Sequence, residues 1–106
     1  MNQKEFISYL DSFFKEALSL VERKNHDYAS KENPFKNFNF ANLVGVSPER
    51  AILIRVADKM ARISNLLDKD RLVADESIRD SLIDSANYLA ILSAMLESKK
   101  DARKNK

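Results

Sequence analysis

Apolar residues recur at three- and four-residue spacing over three long stretches of the chain. In the first, Phe6, Leu10, Phe13, Phe14, Ala17, Leu18 and Val21 make one broad face, which predicts a helix from about Gln3 to Arg23. The run from Lys24 to Ser30 then breaks the pattern, because Asn and Asp side chains compete with the helical backbone for its hydrogen bonds. In the second stretch, Leu53, Val56, Met60, Ile63 and Leu67 form the apolar side of a helix that reaches Leu67. Its start lies in Ser47-Pro48-Glu49: Ser as N-cap, Pro at the first helical position and an acid in the first turn. The third stretch, capped by Asp75, runs to about Ser98 and is apolar nearly all round after Asn87. A helix apolar on every side is normally buried.

Between Ser30 and Val46 the periodicity fails. Three phenylalanines and four asparagines lie among turn formers there, which is too aromatic for a disordered linker. The segment reads as an ordered connection with a short helix at Asn39 to Val44. With 106 residues, one glycine and two prolines, the expectation is a single all-α domain. It has three main helices in an antiparallel bundle over residues 1–98, followed by a basic, frayed tail at 99–106. Three helices can close a small core, but the third has apolar surface left over, which predicts completion by homodimerisation.

Charge and composition narrow the function. Net charge is +2, with the excess in Lys99, Lys100, Arg103, Lys104 and Lys106, so the chain as a whole lacks the basic bias of a nucleic-acid binder. There is no cysteine and a single histidine, His26, which excludes thiol chemistry and zinc sites built on Cys or several His. The longest apolar run, Tyr88 to Leu96, is too short to span a membrane. The amino terminus carries no signal pattern. A cytoplasmic location is expected, that of the host if the chain is phage-encoded.

The polar positions are more informative. Asp80 and Asp84 lie one helical turn apart, and like charges at that spacing disfavour an isolated helix by roughly 0.2–0.5 kcal/mol. At 100° per residue Arg55, Asp58, Arg62 and Asn65 share one stripe of the second helix, while Asp80, Asp84 and Asn87, continued by Ile91, share one of the third. A short connection makes the two helices antiparallel neighbours. Arg62 then comes level with Asp80, Asp58 with Asp84, and Arg55 with Asn87 or Tyr88. Carboxylates suit a hard cation such as Mg²⁺, which keeps waters and substrate phosphates as further ligands. Guanidinium groups suit phosphate oxygens. A second reading stands beside this one: Arg62–Asp80 and Arg55–Asp84 as simple surface salt bridges. Tyr28, Phe35, Phe38 and Phe40 offer either stacking faces for a base or packing for the connection.

Four blocks carry a resemblance. Lys24-Asn25-x-Asp27-Tyr28, Asn37-Phe38, Ile54-Arg55-x-x-Asp58-Lys59-x-x-Arg62-Ile63-x-Asn65-Leu66 and Asp75-Glu76-Ser77-Ile78-x-Asp80-x-x-x-Asp84-x-Ala86-Asn87-Tyr88 resemble the phage and bacterial family called nucleotide modification associated domain 1. That family is similar in outline to the all-α, MazG-like nucleoside triphosphate pyrophosphatases. The resemblance implies metal and catalytic roles for Asp58, Asp80 and Asp84, with Glu76 as a fourth metal ligand. It implies phosphate contacts for Arg55, Lys59 and Arg62. Lys24, Asn25, Asp27, Tyr28, Asn37, Asn87 and Tyr88 complete the expected substrate contacts. Where the MazG pattern has clustered glutamates on its first metal helix, this chain has only Asp58 among basic residues, which leaves room for fewer metal ions or none.

The resulting expectation is a nucleotide-handling protein, a Mg²⁺-dependent (deoxy)nucleoside triphosphate pyrophosphohydrolase in outline. Its first alternative is a non-catalytic protein that binds or sequesters a nucleotide, for example in phage counter-defence. The second is a structural helical interaction module.

Overall fold

The computed structural model describes residues 1–28, 33–69 and 71–104, with side chains described over 1–24, 33–69 and 76–104. The fold is all-α, with no strand among these residues. It has four α-helices rather than three: α1 (Gln3–Tyr28), α2 (Lys36–Asn39), α3 (Pro48–Leu66) and α4 (Arg71–Lys104). A 3-10 helix, Phe40–Val44, follows α2 directly. The short helical piece expected at Asn39 to Val44 therefore exists, but begins earlier and in two geometries.

Local chemistry accounts for the boundaries. The Asn2 side chain accepts a hydrogen bond from the Glu5 N–H at 2.9 Å and caps α1. The helix continues past Arg23 through Tyr28. The penalty of Asn and Asp inside a helix is only a few tenths of a kcal/mol each, too little to stop one already propagating. Ser47 caps α3 as its sequence predicts, its hydroxyl accepting from the Arg50 N–H at 3.2 Å with Pro48 in the first turn. Before it, Gly45 takes a left-handed φ of 76° and ends the 3-10 helix. A side chain there would be strained. At the other end, α4 starts at Arg71 rather than at Asp75 and runs beyond Ser98 to Lys104. Its basic last turn suits the negative end of the helix dipole.

The helices α3 and α4 form the largest interface of the chain. Glu49 pairs with Lys99, Arg55 lies against Tyr88, and Lys59 pairs with Asp84. Numbers fall along α3 as they rise along α4, so the two helices run antiparallel. Arg55–Tyr88 and Lys59–Asp84 agree to within a residue with the register counted from the sequence, while the long Glu49–Lys99 pair lies six residues off it.

The core is small. Ile52 is fully buried, with Ala17, Ile83 and Met95 nearly so. Ser81 and Ser85 are buried beside them, the Ser85 hydroxyl donating to the Ser81 carbonyl at 2.8 Å. The amide of Asn87 joins α1 to α4 by donating to the Ala17 carbonyl at 3.1 Å. Arg79 joins them again, pairing with Glu16 and lying 6.0 and 5.6 Å from the rings of Tyr9 and Phe13. The molecule is drawn out to 49 × 33 × 24 Å. Its radius of gyration is 16.3 Å, against about 13 Å for a compact chain of this length. No described helix is long and apolar enough to cross a membrane.

One ion pair gives a pH prediction. The Glu49 carboxyl is held below the usual carboxylate range, chiefly by the hydrogen bond from the Lys99 ammonium and then by its own backbone N–H. Stability from a lowered carboxylate pKa is fully present above the ordinary carboxylate range and is lost as pH falls through the lowered value. Lys99→Ala is expected to lower stability at neutral pH by less than about 1 kcal/mol, because the pair lies at the surface. In strongly acid solution the variant and the natural chain should unfold alike. Urea unfolding at both pH values checks this, and an equal loss at both refutes it.

Candidate functional site

One polar pocket of about 360 Å³ forms where α1, α2, α3 and α4 converge. Each element contributes for a local reason. The last turns of α1 bring Val21 and Lys24. Asn33 opens the next described segment, its side chain accepting from the Phe35 N–H at 3.1 Å and its carbonyl from the Lys36 N–H at 3.3 Å. Such an Asx turn reverses the backbone, and it sets Pro34, Asn37 and Phe38 against the pocket. Arg55 comes from α3, while Asp84, Asn87, Tyr88 and Ile91 come from a two-turn span of α4.

Electrostatics concentrate on Asp84, a carboxylate with 21% of its side chain exposed. One oxygen is 3.0 Å from the Lys59 ammonium, and the other is 3.8 Å from that of Lys24. A half-buried carboxylate needs partners of this kind. Arg55 lies with its guanidinium carbon 5.0 Å from the Phe38 ring centre and 5.8 Å from that of Tyr88. Each contact of this type is worth about 0.5–1 kcal/mol at an exposed position. Together they hold the guanidinium at the pocket wall. Two ammonium groups thus flank one carboxylate, and a guanidinium lies against two aromatic rings in the same pocket.

The expected site residues divide. Lys24, Asn37, Arg55, Asp84, Asn87 and Tyr88 all line this pocket, and Lys59 touches it through Asp84. Asp58, Arg62, Glu76 and Asp80 are exposed and are not among the residues lining it. Asn25, Asp27 and Tyr28 lie on the final turn of α1, but their side chains fall outside the described residues. Asp84 does not take the Arg55 partner that a plain surface pairing suggests. It takes two lysines instead, while Arg55 turns to the rings.

The metal expectation can be tested on the donors. A divalent cation held by protein carboxylates needs several oxygens at one point. Among the described residues no three Asp, Glu or His side chains gather in that way. Asp84 already sits between two ammonium groups. Asp58, Asp80, Asp84 and Glu76 are thus not gathered into one donor set among the described residues.

Compared with family models, with curated proteins and with solved structures, the chain matches none. The site therefore has to be read from its own chemistry. Sequence reasoning places Ile91 on the cleft-lining stripe but misses Val21 and Pro34, which complete the apolar wall of the pocket. Val21 reads as core from its helical spacing, and nothing in the sequence tells that Pro34 folds back onto α4. The polar pocket also borders an apolar groove of about 430 Å³, and Val21, Pro34, Asn87 and Ile91 line both.

Proposed function

We propose that this chain binds a nucleotide, or a small molecule carrying the same phosphate groups, in the pocket between α1, α2, α3 and α4. The observation that carries this reading is one pocket that holds Lys24 and Arg55 with the single carboxylate of Asp84, itself paired with Lys59 and Lys24, beside Phe38 and Tyr88. Lysine ammonium groups and a guanidinium suit phosphate oxygens. A cleft of this volume lies within the range of small-ligand sites. The resemblance read in the sequence blocks points the same way. Binding on these terms needs no resident metal.

A second reading, magnesium-dependent hydrolysis of a nucleoside triphosphate, is favoured by one observation: the carboxylate of Asp84 lines the pocket. Magnesium would then have to arrive with the nucleotide. In both readings the chain acts as a homodimer, supported by the apolar side chains that a single copy leaves exposed, Leu82, Leu89 and Leu96 on α4 among them.

A panel of nucleoside mono-, di- and triphosphates, screened by thermal shift and calorimetry with and without Mg²⁺, tests the proposal. Binding without Mg²⁺, tighter with more phosphates and weaker with salt, is the expected result. Pyrophosphate or phosphate release that needs Mg²⁺ and disappears in Asp84→Asn would establish the second reading instead. A melting temperature unmoved by every member of the panel removes both and leaves a structural module.

A further inference from the structure

We propose that the groove between α1 and α4 is the surface on which two copies of this chain meet, each laying the exposed face of its α1 into the groove of the other. This rests on the dimer reading above and adds the contact surface to it. The first observation is area. The chain exposes 8443 Å², whereas a compact monomer of 12.2 kDa exposes about 6,000 Å². The excess is more than the roughly 1,000 Å² per chain that a stable dimer buries at the least. An elongated molecule with four buried apolar residues among those described has not finished burying its apolar surface.

The second observation is shape. Along the groove floor, Ala86, Ala90 and Ala94 stand at successive helical turns of α4, where small side chains let another helix approach. On its rim Phe14 and Leu18 project from α1, 60% and 59% exposed. Bulk and hollow thus occur on one face, which is what a two-fold interface requires of a single surface. Among the described residues no charged side chain lines the groove, and the amide of Asn87 in it is already bonded to the Ala17 carbonyl. A second copy supplies a matching apolar helix without burying an unpaired charge.

The absence of cysteine makes single-cysteine variants of the full chain clean reporters. Leu18→Cys and Ala90→Cys place a thiol in the groove. Leu43→Cys places one on the 3-10 helix, where Leu43 is 82% exposed and not part of the groove. Light scattering is expected to give twice the chain mass. Maleimide labelling of the two groove thiols should be slowed at least tenfold at high protein concentration and should recover on dilution. Leu43→Cys should label fast at both concentrations. Ala90→Cys keeps the test open if Leu18→Cys fails to fold. A monomer mass at micromolar concentration overturns the dimer reading and this surface together. A dimer mass with freely labelled groove thiols overturns the surface alone. Either result leaves nucleotide binding to its own test.

Discussion

Replacing Ile52 with alanine is expected to lower the stability of the chain by about 3 kcal/mol, the usual result of emptying a closed apolar site. Ile52 is completely shielded, and only Ala17, Ile83 and Met95 come close to it among the apolar residues described. It stands near the start of α3, on the helix whose packing against α4 carries most of the fold. A domain of this length has roughly 5–15 kcal/mol in total, so the loss takes a large fraction of it. Urea unfolding followed by circular dichroism gives the measurement. The exposed Leu43→Ala serves as comparison and should move the midpoint little, by about 0.5 kcal/mol or less. Equal losses in the two variants would show that the core lies elsewhere.

Arg55→Ala is expected to weaken nucleotide binding by about 10- to 100-fold, the range for hydrogen bonds to a charged group. The side chain is exposed, so stability should fall by no more than its two ring contacts are worth, about 1–2 kcal/mol. Arg55→Lys should not restore affinity, because an ammonium cannot lie as a flat fork against Phe38 and Tyr88. Calorimetry at low salt, with melting temperatures measured in parallel, separates the two effects. Natural affinity in Arg55→Ala would mean that ligand, if bound at all, sits away from this wall.

The parts of the molecule that are legible in the sequence are those set by periodicity. Ser47-Pro48-Glu49 marks the start of α3 by side-chain chemistry alone, and the structure has the cap in place. Counting turns outward from the connection puts Arg55 beside Tyr88, where it is found. The count fails to choose between neighbours one residue apart. It sets Asp58 opposite Asp84, yet Lys59 reaches the carboxylate, because a long flexible side chain can swing across a helix face and a short Asp cannot. The aromatic connection is the least legible part. Its order follows from composition, but the position of Phe38 over Arg55 depends on a turn made by the Asn33 side chain, and no spacing rule predicts it. Helix ends are similarly opaque. Both α1 and α4 outrun their expected termini, since weak propensities do not halt a helix that has neighbours to lean on.

The length of α4 has a consequence for how such a pocket can change. Its 34 residues span about 50 Å as a single rod, so Asp84, Asn87, Tyr88 and Ile91 keep their mutual spacing whatever packs around them. Four of the ten residues that line the proposed binding pocket therefore sit on an inflexible ruler. Altered ligand choice has to arise on the facing side, through substitutions at Asn37, Phe38 or Arg55, each of which can vary without disturbing the marks against which the ligand is measured.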